Sequence, residues 1–410
     1  MKQKSIKILT KHWREVGSFD SYRKKHGYEA LQKALRQAPE IILKEISNSG
    51  LRGRGGLDFL TGIKWQLAAK QTVQKKYFIA NLNEPEPGIF KDRLLAENNP
   101  HQIIEGLIIG AYAIGASKGF IYLNYFYQQA KVSLENALQE LYRKKILGRS
   151  ILGSYFDFEI EIFEGAGAYV SREESALVNS MKGYRAEPKK SSSLACEHNL
   201  NGCPTVINNV ETLANVPEII LNGADNYRSI GAVGSFGTKL FCVDGAVEYP
   251  GLYEAPLGTT VRELIYDYAG GIKKGEEFLL AQIGGVGGSL APLGLLDEPL
   301  IYGRRKKLNL GLGGILVLNK AVDWKKMLIS RMRFFQRESC GKCVPCREGT
   351  FRALAILQRL EKNNFSEDDR KDLKKIVWTL EKTSFCNFGY FAANAIKEVM
   401  RYGLVKELGR

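Results

Sequence analysis

The stretch Tyr77-Phe-Ile-Ala80 is an apolar, aromatic-rich run that lies between a glycine-rich loop, Gly50-Leu-Arg-Gly-Arg-Gly-Gly56, and a helix signal at Asn99-Pro100. The apolar run predicts a buried strand. Asparagine as N-cap and proline in the first turn are typical of a helix start, and the helical pattern continues to Ala116. This unit of loop, strand and helix indicates how the following residues fold.

Further strands and helices alternate along the chain after this unit. Residues 119–123 and 156–163 have strand patterns, and residues 132–145 and 173–181 have helical patterns. The alternation predicts an α/β sheet whose glycine loops lie at strand ends, where such folds bind ligands. Upstream, residues 30–46 have the pattern of one amphipathic helix.

The pattern changes near residue 237. Residues 239–247, 278–283 and 315–318 predict strands of a small, turn-rich α+β domain, and from residue 322 the sequence is helical and basic. The chain has 410 residues, of which 44% are hydrophobic and 25% charged. This composition is typical of a globular protein with a sizeable core, and it excludes a disordered chain, collagen or a small disulfide scaffold.

The net charge of +15 is concentrated at the two ends of the chain. Residues 1–50 carry 11 basic and 5 acidic side chains, residues 51–299 carry 24 and 28, and residues 300–410 carry 24 and 11. Basic ends could bind nucleic acid. We expect no nucleic-acid partner, because the sequence has no recognition motif, and we interpret the basic ends as docking surfaces for an acidic protein partner.

The sequence also lacks the signals of a membrane or secreted protein. No apolar run approaches the roughly 20 residues that a membrane span needs, and the N-terminus has no secretory signal. We therefore expect no direct membrane span.

Four of the seven cysteines are grouped. Cys340-Gly-Lys-Cys343-Val-Pro-Cys346 has the spacing C-x2-C-x2-C, and Cys386 follows 40 residues later. Three thiolates along one turn and a fourth from a distant loop suit a [4Fe–4S] cluster. Zinc also accepts four cysteines, and unligated thiols are a third interpretation, so the residues alone leave these alternatives open.

Glycines and polar groups indicate a ligand pocket in the α/β part. Gly53-Arg-Gly-Gly56 together with Lys64 supplies backbone and cations for a phosphate, although a solvated glycine turn is an equal alternative. Neither a Walker A loop nor a G-x-G-x-x-G fingerprint is present. Polar residues at predicted strand ends support a pocket; they are Asn81, Asn83, Glu84, Glu86, Glu173, Glu174, Asn208 and Asn209.

Six motifs occur in order from about residue 45 to the C-terminus. They lie at residues 50–65, 81–93, 100–106, 165–169, 204–217 and 338–349. In this combination the chain resembles the FMN-binding, NADH-oxidising flavoprotein subunit of respiratory complex I. The β subunits of NAD-linked hydrogenases and formate dehydrogenases share the same module, and the last motif is the most specific.

The resemblance implies a fold of three domains behind an N-terminal helical arm, residues 1–46. An α/β Rossmann-like FMN domain would span residues 47–232. A small α+β ubiquitin-like (SLBB) domain would span residues 233–318. A C-terminal helical bundle, residues 319–410, would hold one [4Fe–4S] cluster.

The resemblance also implies the roles of individual residues. FMN and nucleotide would be bound by Gly53, Arg54, Gly55, Gly56, Phe59, Lys64, Asn81, Asn83, Glu84, Glu173, Asn208, Asn209 and Thr212. Glu86, Tyr169 and Glu174 would line the nicotinamide face. The cluster ligands would be Cys340, Cys343, Cys346 and Cys386. The implied reaction, of the NADH dehydrogenase (quinone) type, is hydride transfer from NADH to FMN followed by single-electron steps to the cluster.

The sequence departs from the family at the nucleotide pocket. Asp58 and Arg172 stand where the family usually has glycine, and Leu194 stands where an aromatic residue is expected. Asp58 is expected to oppose a pyrophosphate and Arg172 to place a cation beside the flavin. We therefore expect weakened or altered NADH recognition. The alternatives are a preference for a 2′-phosphate donor, a protein donor such as ferredoxin, and a non-catalytic docking subunit that keeps the fold.

The family further implies partners and a location. The expected partners are the other subunits of an electron-transfer complex, especially a small thioredoxin-like [2Fe–2S] subunit and a large iron–sulfur subunit. The expected location is the cytoplasm, peripheral to the inner membrane as part of that complex.

Overall fold

Three short helices begin the fold: α1 (Phe19–Lys24), α2 (Glu29–Leu35) and α3 (Pro39–Ser49). The computed structural model describes residues 6–13, 15–73, 75–189, 200–303 and 306–408. The expectation of one helix over residues 30–46 is wrong. Pro39 lies in the first turn of a new helix, because its ring and missing N–H prevent the preceding helix from continuing through it.

A four-stranded parallel sheet forms the centre of the first domain. Its strands follow the order β3-β2-β1-β4. Because parallel strands are joined by helical crossovers, helices lie beside the sheet and the strands are largely apolar. The elements are α4 (Thr61–Ala69), β1 (Tyr77–Leu82), α5 (Lys91–Asn98), α6 (Pro100–Ile114), β2 (Lys118–Asn124), α7 (Gln128–Arg143), β3 (Glu159–Gly165), α8 (Glu174–Met181), β4 (Thr205–Asn209), α9 (Val210–Ala214), α10 (Val216–Asn222) and α11 (Ala224–Arg228).

Helix α6 is the central helix of this domain, and nearly every one of its residues is buried. Asn99 caps it by accepting from the backbone N–H of Gln102 at 3.2 Å, as the sequence predicts. Its one buried carboxylate, Glu105, accepts from the Tyr22 hydroxyl at 2.6 Å and from the backbone N–H groups of Tyr28 and Leu31 at 3.0 Å. Since these donors come from the N-terminal residues, Glu105 fixes them against α6.

The middle domain is a five-stranded mixed sheet in the order β10-β9-β11-β7-β8. The parallel pair β7–β11 at its centre joins the two hairpins, which is the ubiquitin-like arrangement expected from the sequence. A two-stranded ribbon, β5 (Gly231–Ala232) and β6 (Ser235–Phe236), precedes it. The other elements are β7 (Thr238–Gly245), β8 (Gly251–Pro256), α12 (Val261–Glu263), β9 (Phe278–Ile283), β10 (Ser289–Pro292) and β11 (Gly314–Asn319).

Four helices complete the described chain: α13 (Trp324–Glu338), α14 (Val344–Glu361), α15 (Glu367–Thr383) and α16 (Asn387–Arg401). Their apolar faces share one core with residues of the middle domain and with Tyr169 of the first domain. The succession of α/β domain, ubiquitin-like domain and helical bundle confirms the predicted fold class. In the described residues no helix has the length and apolar character needed to cross a membrane.

The N-terminal residues are also attached to the middle domain. The carboxylate of Glu254 on β8 accepts from the backbone N–H groups of Ile8, Leu9 and Thr10 at 2.8–3.1 Å. It accepts in addition from the Thr238 hydroxyl at 2.6 Å. One buried carboxylate thus binds donors of the neighbouring strand β7 and of an N-terminal segment about 245 residues away.

Gly106→Ala is expected to destabilise the first domain. A Cβ atom at this position of α6 would lie 2.0 Å from the carbonyl oxygen of Leu213. We expect a loss of about 1–3 kcal/mol in the free energy of unfolding, because backbone rather than a flexible side chain must move. Thermal unfolding of the full chain measures it. Gly17→Ala is the control, since its Cβ would meet nothing within 4 Å, and an equal loss in both variants would contradict the packing argument.

Candidate functional site

The polar residues predicted at strand ends lie along one edge of the parallel sheet. Asn83, Glu84 and Glu86 follow β1, and Tyr169 follows β3, while Asn209 ends β4. Because β1 pairs in parallel with both β2 and β4, and β2 with β3, these strand ends point the same way. This is the edge at which open α/β sheets bind ligands.

The glycine loop packs so tightly against this edge that side chains at its glycine positions would collide with neighbouring atoms. A Cβ on Gly55 would lie 2.9 Å from the Cβ of Asn209, and one on Gly53 would lie 2.6 Å from the carbonyl oxygen of Leu57. Gly56 has φ +102° and would place a Cβ 3.2 Å from the Arg172 guanidinium. The loop is therefore a backbone cradle of the kind that lets a phosphate or a flavin approach closely. Phe59, at its far side, is 39% exposed.

Arg54 has its side chain directed away from the predicted pocket. The buried guanidinium donates to the carbonyl oxygens of Thr238 and Phe236 and to the Tyr227 hydroxyl, at 2.8–3.1 Å. Its backbone N–H donates to the hydroxyl of Thr212 at 2.8 Å. The Arg54 side chain therefore joins the first domain to the middle domain, and only its backbone lies at the predicted cofactor loop.

Lys64 and Asn208 form a second polar group at the pocket. The Lys64 ammonium donates to Glu174 Oε1 at 2.5 Å and to the carbonyl oxygen of Ile207 at 2.9 Å. Trp65 Nε1 donates to Asn208 Oδ1 at 2.8 Å. The other carboxylate oxygen of Glu174 is buried and has no hydrogen-bond partner in the described structure, so it is available to a ligand.

The loop after β1 supplies a second buried, unpartnered acceptor. Asn83 donates through Nδ2 to the carbonyl oxygen of Ala168 at 2.9 Å, while its Oδ1 has no partner in the described structure. Asn81 Oδ1 accepts from the backbone N–H of Asn83 at 2.9 Å. Glu84 accepts from the backbone N–H groups of Asp92 and Arg93. Burial, reinforced by the Asp92 carboxylate, raises the pKa of Glu84 to about 8.

Glu173 has a structural role in this chain. Its carboxylate accepts from the backbone N–H of Ala176 at 2.8 Å and from the Ser175 hydroxyl at 2.5 Å. It is therefore the N-cap of α8, where a carboxylate also suits the positive end of the helix dipole.

A buried charge cluster under the pocket was missed by the sequence analysis. The Lys91 ammonium lies 2.5 Å from Asp92 Oδ1 and 2.9 Å from Glu211 Oε2. Lys239 lies 3.6 Å from the same Glu211 oxygen. Asn209 Nδ2 donates to Asp92 Oδ2 at 2.6 Å, which connects the cluster to the glycine loop. No local pattern signals these pairs, because their members are separated by up to 120 residues in sequence.

Glu86, Tyr169 and Arg172 form a compact group beside Gly56. The Tyr169 hydroxyl donates to Glu86 Oε2 at 2.8 Å, and the Arg172 guanidinium forms an ion pair with the same oxygen. The guanidinium also lies over the Tyr169 ring, 4.7 Å from its centroid. Although burial opposes the charged form, Tyr169 and Glu86 raise the pKa of Arg172, so it is a fixed cation. Two of the three predicted nicotinamide residues, Glu86 and Tyr169, are thus engaged by Arg172.

The other two departures from the family pattern have different outcomes. The carboxylate of Asp58 accepts from the backbone N–H of Gly303 at 3.1 Å and lies 3.8 Å from the Lys306 ammonium. Its charge is therefore partnered by the middle domain, which offsets the repulsion of a pyrophosphate expected from the sequence. Leu194 lies outside the described residues.

The four predicted cluster ligands surround one cavity. Cys340, Cys343, Cys346 and Cys386 all line it, together with Val170 of the first domain. Four thiols lining one cavity fit the four-cysteine ligand set of a [4Fe–4S] cluster.

Two thiols of this cavity, those of Cys346 and Cys386, need metal to ionise near neutral pH. Burial raises the pKa of Cys346 to about 12 and that of Cys386 to about 11. Both would be protonated near neutral pH, and metal ligation requires the thiolate, so cluster binding releases protons.

The flavin-type pocket and the cysteine cavity touch each other. Val170 lines the cavity, and its neighbour Tyr169 packs edge-on against Phe334 and Phe388, with ring centroids 5.1 and 5.5 Å apart. The backbone N–H of Tyr169 donates to Glu338 at 3.2 Å, two residues before Cys340. The same short segment therefore borders both candidate sites.

The residues present fit an FMN group. The glycine loop presents backbone alone, because a Cβ there would meet Leu57, Asn209 or Arg172. Two buried acceptors, Asn83 Oδ1 and Glu174 Oε2, have no partner in the described structure. The fold and the two adjoining sites define a flavin- and iron–sulfur-binding electron-transfer protein.

Comparison with known proteins agrees with this class. Residues 46–218 match the Nuo51 FMN-binding domain, residues 240–293 the SLBB domain, and residues 326–403 the NADH-ubiquinone oxidoreductase-F iron-sulfur binding region. The NADH-quinone oxidoreductase F subunit of Aquifex aeolicus is 41% identical over 388 residues, which cover 94% of this chain and 89% of the relative. The corresponding protein of Escherichia coli is 40% identical over 390 residues, covering 93% and 87%.

A solved structure is similar over the whole chain. It is the air-oxidised NAD⁺-reducing [NiFe]-hydrogenase, with a TM-score of 0.85 and 31% identity, covering 99% of this chain and 67% of that one. The chain belongs to the family of NADH-quinone oxidoreductase F subunits, and it is an oxidoreductase subunit with an FMN-binding domain and a 4Fe–4S binding region.

Cys386→Ser is expected to abolish cluster binding, because three thiolates from one turn cannot close the fourth corner. Iron and acid-labile sulfide content, with the electron paramagnetic resonance spectrum of the reduced protein, measure the loss. Cys203→Ser is the control, since Cys203 is a free cysteine that does not line the cavity. Full iron content in Cys386→Ser would contradict the assignment of this ligand.

Proposed function

We propose that this subunit receives electrons at FMN and delivers them singly to the [4Fe–4S] cluster, as the electron-input subunit of a complex I-like NADH:quinone oxidoreductase. The observation that carries the proposal is the segment Tyr169–Val170, which borders the flavin-type pocket with one residue and the cysteine cavity with the next. Bound FMN supplies the exchange between two-electron and one-electron chemistry.

The side chains of the pocket would bind and orient. The backbone of Gly53, Gly55 and Gly56 would receive the phosphate end of the cofactor, and Lys64 would supply positive charge there. Asn83 and Glu174 would bind polar groups of the flavin or of its donor through their unpartnered oxygens. The proposed transfer needs no general base, since a hydride carries its own electron pair.

We further infer that NADH is the donor and that Arg172 weakens its binding. Glu86, Tyr169 and Glu174 are the residues proposed for the nicotinamide face, and Arg172 pairs with Glu86 and covers the ring of Tyr169. A nicotinamide would have to displace this cation from a buried carboxylate. The altered affinity for NADH would then follow from a single residue, Arg172.

Two alternatives have a different donor. The cation of Arg172 could favour a donor with a 2′-phosphate, or the pocket could be closed to dinucleotides and receive electrons from a protein such as ferredoxin. A third alternative is a docking subunit that keeps the fold without turnover. Each of these predicts a different result in the assay below.

The proposed partners are the other subunits of the complex. A small thioredoxin-like [2Fe–2S] subunit and a large iron–sulfur subunit would contact the basic C-terminal domain, whose residues 300–410 carry 24 basic and 11 acidic side chains. The proposed location is the cytoplasmic side of the inner membrane, with attachment through these partners.

Arg172→Gly is expected to raise kcat/KM for NADH by roughly tenfold or more. The donor would no longer compete with a charged hydrogen bond, a contact of about 1.5–3 kcal/mol. The measurement is steady-state reduction of ferricyanide by the flavin- and cluster-loaded chain, with NADH, NADPH and reduced ferredoxin as donors. Arg149→Gly, which removes an exposed arginine, is the control.

Each outcome of this assay decides between the candidates. Unchanged NADH kinetics in Arg172→Gly would overturn the role given to Arg172. Turnover with ferredoxin alone, in both wild type and variant, would replace NADH by a protein donor. A wild-type chain that binds no flavin would favour the docking subunit and contradict the proposed function.

A further inference from the structure

A cavity of about 410 Å³ lies between the middle domain and α13, outside the flavin-type pocket and the cysteine cavity. Its walls come from four parts of the chain: the loop after Glu86, the end of β7, strands β9 and β11 with their turns, and one face of α13. The wall is mainly apolar; its apolar side chains are Ile89, Val286, Ile315, Leu316, Met327 and Phe334.

One cation, Arg331, lines this cavity from α13. It is only 6% exposed. Its Nη2 donates to Gln282 Oε1 and lies 3.5 Å from the sulfur of Met327. In the described chain no carboxylate lies within 4 Å of its guanidinium, whereas buried Lys91, Lys239 and Arg172 each have one.

The burial of Arg331 follows from its position on the helix. Four buried residues of α13 follow one another at intervals of four, three and four: Trp324, Leu328, Arg331 and Phe335. This spacing places all four on one face of the helix. The exposed arginine two residues later, Arg333, lies elsewhere on the helix. Arg331 is therefore buried on the apolar face of α13, and in the described chain it has no carboxylate partner there.

Burial lowers the pKa of Arg331 to about 9, with no acidic neighbour to oppose the effect. The group remains charged at neutral pH. An unpaired buried charge destabilises a fold, and methionine or leucine at this position would pack without that cost. The neutral side-chain oxygen of Gln282 accepts from one nitrogen of the Arg331 guanidinium, Nη2. The described structure contains no hydrogen-bond acceptor for the other two nitrogens, Nε and Nη1.

We propose that this cavity is a binding site for a small monocarboxylate with an apolar body, such as a medium-chain fatty acid. The carboxylate would accept from the free N–H groups of Arg331, and the chain would lie against the apolar wall. The volume is in the range of small-molecule pockets, which combine apolar walls with a few polar anchors. A guanidinium matches a carboxylate in shape and charge.

The surroundings select for one negative charge and against polyanions. Asp244, which is exposed, lies at the rim of the cavity, so a second anionic group would meet a carboxylate. Inorganic phosphate would find one cation and an apolar wall that cannot hydrogen-bond. Because so little of Arg331 is exposed, a carboxylate reaches it only by entering the cavity, which a slender alkyl chain can do.

The test is isothermal titration of the flavin- and cluster-loaded full chain with decanoate. We expect saturable binding at one site, with no binding of inorganic phosphate and much weaker binding of decanol. Arg331→Gln should lower the affinity for decanoate by roughly ten- to a hundredfold, the value of a charged hydrogen bond. Arg333→Gln, on the same helix and exposed, is the matched control and should bind like wild type.

A second pair of measurements separates a ligand site from a structural arginine. Leu316→Trp should block decanoate while leaving Arg331 in place, because the larger ring fills the cavity. Arg331→Met should raise the thermal midpoint of the ligand-free chain, since the unpaired charge is removed. A lowered midpoint, an absence of decanoate binding to wild type, or equal affinities in Arg331→Gln and Arg333→Gln would each overturn the proposal.

Discussion

The arrangement of the domains depends on the carboxylate of Glu86, which binds residues of both the first and the middle domain. It accepts from the Tyr169 hydroxyl and pairs with Arg172 of the first domain, and it accepts from the backbone N–H of Val286 in the middle domain at 2.7 Å. A Cβ on Gly285 would lie 2.1 Å from one of its oxygens, so the turn between β9 and β10 closes tightly over it. Because Tyr169 in turn packs against the helical domain, one buried acceptor aligns all three domains.

This alignment places two redox sites next to each other without a separate linker. Tyr169 is bound through its hydroxyl to the flavin-side group and through its backbone N–H to Glu338, close to the first cluster cysteine. Its ring belongs to the core of the helical domain. Any movement that opened the pocket at Tyr169 would also disturb the packing beside the cluster, so the structure favours a rigid connection between them.

The sequence was sufficient for features that depend on local patterns. The strand Tyr77–Leu82, the cap at Asn99 and the spacing of Cys340, Cys343 and Cys346 each have a short-range signal. The grouping of the cysteines also indicated Cys386 as the fourth ligand, and the family resemblance added the order of the domains. These predictions are confirmed at the level of the fold and the cofactors, whereas the roles of individual pocket residues stay predictions.

Features that depend on distant partners could not be predicted. Arg54 was expected at the cofactor, but its side chain reaches Thr238 and Phe236 because the middle domain closes behind it. The charge of Asp58 is partnered at Gly303 and Lys306, more than 240 residues away. In the charge count, Arg331 was only one of the basic residues of the C-terminal region. Its helical spacing from Trp324, Leu328 and Phe335 could have predicted that it is buried.

The contact between Glu254 and residues 8–10 has a consequence for the order in which the chain folds. During synthesis residues 8–10 leave the ribosome well before their acceptor on β8, which follows about 245 residues later. Such long-range contacts form late, since the intervening chain must be ordered before they can close. Residues 8–10 are therefore fixed only after β8 has formed, although they are synthesised long before it.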